Sequence, residues 1–385
     1  MLLQNKKVVI VGGGMAGLTL ARLLQLKNIG VNVYERDFNR DVRVQGSTLD
    51  LHEGTGLEAM KRAGLLDKFY KNHRPEASKM MLADRHLNIK FDENKFAKIT
   101  AEKRPEIDRA PLRDILLDSL QPETVVWDSH FISMKKEKSG WQIHFKNDTS
   151  TYADLVIAAD GAKSRIRPYL SDIKPIYSGI TLIQIDVDNA AKNLPQLLAA
   201  TKGGKVMCFD NEQMLGFGVK GDGSVMGIAA FKTYEAWLKE SGIDFNNKQQ
   251  VFEWFKKEFT GWSEKWYELF TNDEVTFTPR PQYYFPFDQS WPPQANLTMI
   301  GDAAHRMPPF AGEGANVAMQ DAFELAEVLT NGQFVNIKSA ITYFEKDMIA
   351  RGAEATKGTL ENMEKMFAAN GLEQMINFFS QVYHA

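Results

Sequence analysis

The stretch KVVIVGGGMAGLTLARLLQLKNIGVNVYE, residues 7–35, leaves few folds open to this chain. An apolar, β-branched run at 7–12 reads as a buried strand. Ala16, Leu20, Leu23 and Leu24 share one face of a helix, and VNVYE at 31–35 reads as a second strand. Gly12, Gly14 and Gly17 stand between strand and helix in the spacing G-x-G-x-x-G. Such a turn is tight, lets a pyrophosphate approach bare backbone, and packs the helix close to its strand. The free N–H groups at the helix start suit that anion. Glu35 ends the second strand 18 residues after Gly17, where a carboxylate accepts hydrogen bonds from both ribose hydroxyls of an adenosine and repels a 2′-phosphate. Arg36, beside it, reads either as a solvated charge or as a cover for the adenine. The motif predicts a dinucleotide site and does not separate NAD from FAD.

Composition removes several function classes. The chain has 385 residues, 44% hydrophobic and 25% charged, which suits roughly two folded domains. A net charge of only -3 offers no basic face for phosphates, so nucleic acid is not expected as a partner. Cys208 is the single cysteine, which excludes an internal disulfide and a thiolate metal cluster and fits a reducing compartment. It reads as a small core residue. No cleavable leader is recognisable at the N-terminus, and no apolar run approaches the ~18 residues of a membrane span. A cytoplasmic monomer without membrane contact is expected.

Two further stretches have the shape of a strand running into a polar turn. ADLVIAADGAKSRIR, 153–167, ends an apolar strand on Asp160-Gly161 and continues as D-G-x-x-S-x-x-R through Ser164 and Arg167. A strand stopping there makes a sharp turn at the carboxyl edge of a sheet, where open α/β sheets bind ligands. LTMIGDAAHRMPPFAGEGAN, 297–316, ends on Gly301-Asp302 and passes through Pro308 and Pro309, which hold the backbone extended. A helix follows from about Gly314, with Ala318, Ala322, Leu325, Ala326 and Leu329 on one stripe. Three such turns around one site exceed what a nicotinamide dehydrogenase requires and point to FAD. Asp302 is placed for a ribityl hydroxyl. The helix start from Gly312 through Gly314 to Asn316 is placed to stabilise negative charge on the flavin's pyrimidine edge. His305 reads as a residue that ties down its loop, and Glu313 as a surface carboxylate.

The middle, 176–284, is rich in short apolar runs separated by Gly, Asp and Asn, and reads as an antiparallel sheet. In TLIQIDV, Ile183, Ile185 and Val187 share one face and Gln184 the other. The end of the chain, about 336–368, reads as one long helix with Ile341, Phe344 and Met348 apolar early and Met363, Met366 and Phe367 late. The whole is an α/β fold, a Rossmann-type FAD-binding domain with an antiparallel sheet in the middle of the chain and a long C-terminal helix.

Gly12-x-Gly14-x-x-Gly17, Asp160-Gly161 and Gly301-Asp302 in this order resemble the three motifs of the group A FAD-dependent aromatic hydroxylases, the family of para-hydroxybenzoate hydroxylase. GSTLDLHEGTGLEAMKRAGLL (46–66), PEIDRAPLRDILLDSL and MIGDAAHRMPPFAGEG look like the tetracycline-inactivating members. The resemblance implies an FAD-binding domain in three parts, 1–74, 105–175 and 285–334, a substrate domain in two, 75–104 and 176–284, and a bridging helix over 335–385. It implies FAD contacts at Glu35, Arg36, Arg109 and Asp302. Asp108 reads as the cap of a helix with Leu112, Ile115, Leu116 and Leu120 on its apolar face, so that Arg109 projects toward the sheet edge. Gln184, Met207, Pro309, Phe310, Gly312 and Met366 are expected to border the substrate. Lys205 stands where those enzymes carry a pocket arginine and Met226 where they carry a histidine; lysine lacks the planar fork, and methionine supplies no donor.

The implied reaction is hydroxylation of a phenolic or enolic polycyclic substrate by O2 through a flavin hydroperoxide, with NADPH or NADH as transient reductant passing Asp160 to Arg167. It needs no metal and no protein nucleophile. Tetracycline inactivation, hence antibiotic resistance, is the leading reading. A general aromatic hydroxylase for another phenol, or a flavoprotein that sequesters ligands without turnover, are the alternatives.

Overall fold

The computed structural model describes residues 2–42, 46–95, 104–201 and 204–384. Residues 96–103, part of the segment assigned above to the substrate domain, lie outside the described residues.

Among the described residues, five parallel strands form the first sheet, in the order Leu297–Met299, Leu155–Ala158, Val8–Val11, Val31–Tyr34 and Val125–Val126. The strands Val8–Val11 and Leu155–Ala158 are buried at every position. Helices and further chain cover both faces of a parallel sheet, and that is why these strands read as unbroken apolar runs. The register sets Val11 beside Ala158 and Tyr34, and Ala158 beside Met299. The carboxyl ends therefore stand level, which brings the three polar turns side by side.

The helix that leaves the first strand, Met15–Leu26, packs on the helix Gly314–Thr330. Gly301 sits at their contact with φ +63°, where a Cβ would lie 3.2 Å from that of Ala318 and 3.5 Å from that of Ala16. A side chain there would wedge the two helices apart, so the glycine of the third turn serves packing as well as turning.

The second large sheet has seven strands among the described residues, ordered Val275–Tyr284, Ile176–Val187, Val225–Lys232, Gln213–Val219, Lys205–Asp210, Met80–Ala83 and Ile89–Asp92. The strands of 176–284 pair antiparallel, as the sequence predicts, and the added strands from the earlier segment break that pattern once. Met80–Ala83 pairs in parallel with Lys205–Asp210. The two strands lie far apart in the chain and are not joined by a hairpin, so connectivity did not force opposed directions.

One face of this sheet, carrying Ile183, Ile185, Val187, Val206, Cys208, Leu215 and Phe231, is buried beneath Trp254, Phe255, Phe259, Trp266 and Phe270. Cys208 is fully buried there, and burial pushes its thiol well above the usual value. The other face carries Leu182, Phe209, Met214 and Ala230 and meets the end of the chain.

The long helix expected over about 336–368 is there as Ile337–Met366, and a second helix not expected from sequence, Gly371–His384, follows it. The first begins with a capping box between Asn336 and Ser339. At Gly371 a Cβ would lie 2.4 Å from the Met366 carbonyl oxygen, so the turn closes only without a side chain. The second helix then lays Met375, Ile376 and Phe379 on the sheet, beside Leu82, Phe91 and Phe209.

Candidate active site

The glycine turn, the Asp-Gly turn and the Gly-Asp turn converge. Gly12 has φ +113°, and a Cβ on it would lie 2.2 Å from the Ala159 carbonyl oxygen and 3.0 Å from the Asp160 Cα. At Gly17 a Cβ would meet the Gly12 carbonyl oxygen at 2.1 Å and Ala159 Cβ at 3.3 Å. At Gly14, by contrast, nothing lies within 4 Å of a built Cβ, and the same holds at Gly314. Two of the three fingerprint glycines thus let backbone pack on backbone, and Gly14 leaves open space at the start of the helix Met15–Leu26.

Glu35 is buried, and its carboxylate accepts the Gly13 N–H at 2.5 Å and the Asp37 N–H at 3.0 Å. Arg36 is exposed, near enough to His130 to help lower the pKa of that imidazole, after burial. Sequence reasoning missed Arg113. It is 1% exposed on the helix Arg109–Leu117, donates to the Arg40 carbonyl at 2.7 Å, and pairs with Asp37 at 3.7 Å. A buried arginine one turn after Arg109 has no local sequence signature, since its partners, Gly13, Asp37 and Arg40, come from a different segment.

Arg109 occupies the first turn of the same helix, where a Cβ on Gly46 would lie 3.2 Å from its Nε. Asp108 precedes it but makes no capping hydrogen bond with its side chain. Its carboxylate instead accepts the Gly221 N–H at 2.6 Å and pairs with Arg74 at 3.1 Å. A guanidinium and a free amide outbid the helix N–H groups, and the link ties this helix to the substrate sheet.

Asp302 stands exposed at the end of its strand, with no hydrogen-bond partner among the described residues. Below it lies a buried ion cluster. His305 Nε2 meets Asp321 Oδ2 at 2.5 Å, the Gly301 N–H donates to the same oxygen at 2.9 Å, and Arg351 donates to Oδ1 at 2.8 Å. Burial opposes charge on His305, yet Asp321 outweighs it and raises the imidazole's pKa; burial likewise opposes charge on Asp321, which His305 and Arg351 lower. His305 thus anchors the loop, and it is fully enclosed.

Asn316 is also fully buried. Its Oδ1 accepts the His52 N–H at 2.9 Å, and its Nδ2 donates to the Asp50 carbonyl at 2.8 Å. The side chain expected at the cofactor is therefore a latch between the helix start and residues 50–56. Gly312 is exposed, with φ +70°, and a Cβ would lie 3.1 Å from Asp50 Oδ1. Glu313 does not stand alone on the surface; its carboxylate lies 3.4 Å from His52 Nδ1. Burial opposes charge on both Asp50 and His52, but their hydrogen bond and the flanking Arg104 and Glu313 hold Asp50 at about 2 and raise His52 to about 9.

In the Asp-Gly turn, Asp160 Oδ2 accepts the Arg165 N–H at 2.8 Å and Ser164 Oγ the Arg167 N–H at 2.9 Å. Burial raises the Asp160 pKa, and its Oδ1 is buried without a partner. Arg167 does not line an approach for a reductant. It is buried and donates to the Ala303 carbonyl at 3.0 Å and the Ala304 carbonyl at 2.9 Å, with its guanidinium 3.5 Å from the centre of the Phe285 ring. Burial lowers its pKa to about 10, which leaves it charged at neutral pH. The second turn is thereby bolted to the third.

Across from these turns lies the inner face of the seven-stranded sheet. Met207, Phe310, Met363, Met366 and Phe367 belong to one apolar cluster there, with Phe310 edge-on to Phe367 at 5.4 Å. Pro309 is exposed beside them. Gln184 faces the same side but is engaged: its Oε1 accepts from Arg280 Nε at 2.6 Å and its Nε2 donates to Asp186 at 2.6 Å. Met226 pairs across strands with Asp186, and Lys205 ion-pairs with Glu106.

An open backbone cradle at a helix start, a buried acid at the second strand end and Asp302, without a side-chain hydrogen bond among the described residues, are of the kinds that could hold a dinucleotide. The chain matches the FAD binding domain family over residues 5–267 and 292–332 and belongs to it. It is thus an FAD-dependent monooxygenase. A monooxygenase of Penicillium thymicola, penA, is 28% identical over 96% of this chain and 98% of its own. The 3-amino-4-hydroxybenzoate 2-monooxygenase PtnB3 of Streptomyces platensis is 26% identical over 97% of this chain and 91% of its own. In fold the chain resembles the tetracycline destructase Tet(55), with a TM-score of 0.78 at 18% identity, covering 100% of this chain and 97% of that one. Among the described residues no helix is long and apolar enough to cross a membrane.

Proposed function

We propose that this monooxygenase hydroxylates a phenolic or enolic polycyclic substrate, with NADPH or NADH as reductant, and that tetracyclines fall within its substrate class. The observation that carries the reading is the apolar inner face where Met207, Met366 and Phe367 meet Phe310, a residue of the loop that carries Gly312. A ring bound at these side chains would be shielded from water by them. The resemblance of residues 46–66 to the tetracycline-inactivating enzymes and the fold shared with Tet(55) support the tetracycline assignment.

When bound, FAD supplies the redox chemistry, accepting electrons from the nicotinamide and activating O2. The chain's residues bind, orient and exclude. Gly12 to Gly14 take the pyrophosphate against backbone, Glu35 the adenosine ribose, Asp302 the ribityl chain, and Arg36 and Arg109 lie along the cofactor's path. The start of the helix Gly314–Thr330 supports negative charge on the ring, with roughly half a unit charge at its N-terminus.

A second reading, an aromatic hydroxylase for another phenol, is favoured by the engagement of Gln184 with Arg280 and Asp186 and of Lys205 with Glu106, since these side chains are committed within the protein. The visible spectrum of the purified protein, followed by NADPH and O2 consumption with tetracycline and with a panel of phenols, separates the readings. Flavin absorbance with tetracycline-coupled consumption supports the first reading, and coupling to simple phenols alone supports the second. A flavin-loaded protein that binds ligands without stimulated consumption refutes both and leaves a sequestering flavoprotein.

A further inference from the structure

The chain contains two Asn-Gly steps, Asn331-Gly332 and Asn370-Gly371, and the fold sets them at opposite ends of helices. At such a step the next backbone nitrogen can attack the carboxamide with little hindrance, because glycine places no Cβ beside it. Asn331 caps the C-terminal end of the helix Gly314–Thr330, where the helix dipole opposes a developing negative charge. Its carboxamide is also pinned at both ends. Oδ1 accepts the Gln333 N–H at 2.9 Å, and Nδ2 donates to Gln333 Oε1 at 3.3 Å.

Asn370 differs in each respect. It is exposed and directly precedes the helix Gly371–His384, at the positive end of that dipole, and its carbonyl accepts the Gln374 N–H at 3.1 Å. Its Oδ1 accepts from Gln374 Nε2 at 2.9 Å, while among the described residues its Nδ2 donates to no protein group. The donor polarises the carboxamide and supports the oxyanion that forms on attack, and the departing nitrogen is unrestrained. One bond of the exposed turn, from the Gly371 N–H to the Ala368 carbonyl at 3.0 Å, must open first. Asn370 also lines a surface cavity of about 390 Å³ beside Asp84, Asp210, Glu373 and Lys90.

We propose that Asn370 is a site of spontaneous deamidation, and that its isoaspartyl product releases the last helix from the seven-stranded sheet. The Gly371 nitrogen bonds to Asn370 Cγ, the Cγ–Nδ2 bond breaks, and the proton lost from Gly371 leaves with Nδ2 as ammonia. Water then opens the cyclic imide at either carbonyl, giving aspartate or isoaspartate, and no electrons are transferred. Aspartate keeps the length of the main chain and suits a position before a helix. Isoaspartate adds a methylene to the main chain of a turn that has no room for it, since a Cβ on Gly371 would already lie 2.4 Å from the Met366 carbonyl oxygen. Met375, Ile376 and Phe379 then lose the turn that holds them on Leu82, Phe91 and Phe209. The reaction needs only water and is independent of the substrate assigned above.

The test ages the FAD-loaded protein in warm, mildly alkaline buffer and maps its peptides by mass spectrometry, with isoaspartate read by methyl transfer from an isoaspartyl methyltransferase. Ammonia loss is expected at Asn370 severalfold faster than at Asn331. Gln374→Met should slow it severalfold with unchanged circular dichroism, and Asn370→Ser should abolish it. Limited proteolysis should clip the C-terminal helix of the aged wild type in proportion to its isoaspartate content. Fresh Asn370→Asp, which carries the charge without the extra methylene, should resist as fresh wild type does. Modification at Asn331 as fast as at Asn370, or an unchanged rate in Gln374→Met, overturns the assignment of the site. Isoaspartate at position 370 in a protein as protease-resistant as when fresh overturns the release of the helix.

Discussion

Asp302 and His305 are three residues apart, and the structure gives them opposite roles. Asp302 is exposed and unpartnered among the described residues, as a ligand group is. His305 is enclosed against Asp321, as a structural ion pair is. Asp302→Ala should therefore remove most bound flavin with little loss of fold, measured by the flavin-to-protein absorbance ratio beside the far-UV circular dichroism. His305→Ala removes one partner of a buried charge and should destabilise the protein by roughly 3 kcal/mol, while turnover per bound FAD stays substantial. Complete loss of turnover with FAD still bound would restore a catalytic role to His305. Glu345 offers a pH prediction. It is 1% exposed, accepts from Thr298 Oγ1 at 2.7 Å, and burial raises its pKa from 4.5 to about 7. The native state then holds this proton more tightly than the unfolded chain, so stability falls as pH rises through that window and levels off above it. Glu345→Gln should flatten the fall and be more stable than the wild type by up to roughly 3 kcal/mol in mildly alkaline urea denaturation. Equal midpoints for the two proteins there would count against the buried-acid account.

At the scale of elements, glycines set the distances between helices and strands. Gly301 combines φ +63° with a Cβ clearance of 3.2 Å to Ala318. Gly301→Ala should cost about 1–3 kcal/mol through strain and displaced helices, and should weaken FAD binding because the same turn aims Asp302. Thermal unfolding with and without added FAD checks both effects, and an unchanged midpoint would show that the helices tolerate the extra methyl. Gly371 has an equivalent part at the second C-terminal helix, which brings Met375 and Phe379 to the substrate sheet. That helix was not legible as a separate element. The apolar positions of 337–366 and of 371–384 both follow the helical period, and only the close approach of Gly371 to Met366 separates them.

In the whole molecule, the site is a junction. Arg167 bolts the second polar turn to the third, Asn316 latches the third to residues 50–56, and Asp108 with Arg74 and Gly221 joins the cofactor sheet to the substrate sheet. FAD bound across these links should therefore stabilise the protein as a unit, by about 2.7 kcal/mol at a free concentration one hundred times its Kd. Calorimetry should give one transition that moves upward with FAD. Two transitions of which only one moves would mean that the sheets unfold separately.

The sequence by itself determined the βαβ start, the three polar turns at strand ends, the face of Gln184 and the FAD site they imply, because strand period, helix period and turn chemistry are local properties of the backbone. The tertiary structure decided which of the polar residues in those turns remain open to a ligand. Asn316, Asp108 and Arg167 read as ligand or cap groups in isolation, and each is taken up by a partner far away in the chain. Glu106 gave no signal at all until Lys205 was folded against it. A buried polar group must find its partner wherever packing puts one, and that choice is made by the register of sheets and the crossing of helices, not by neighbours in the chain.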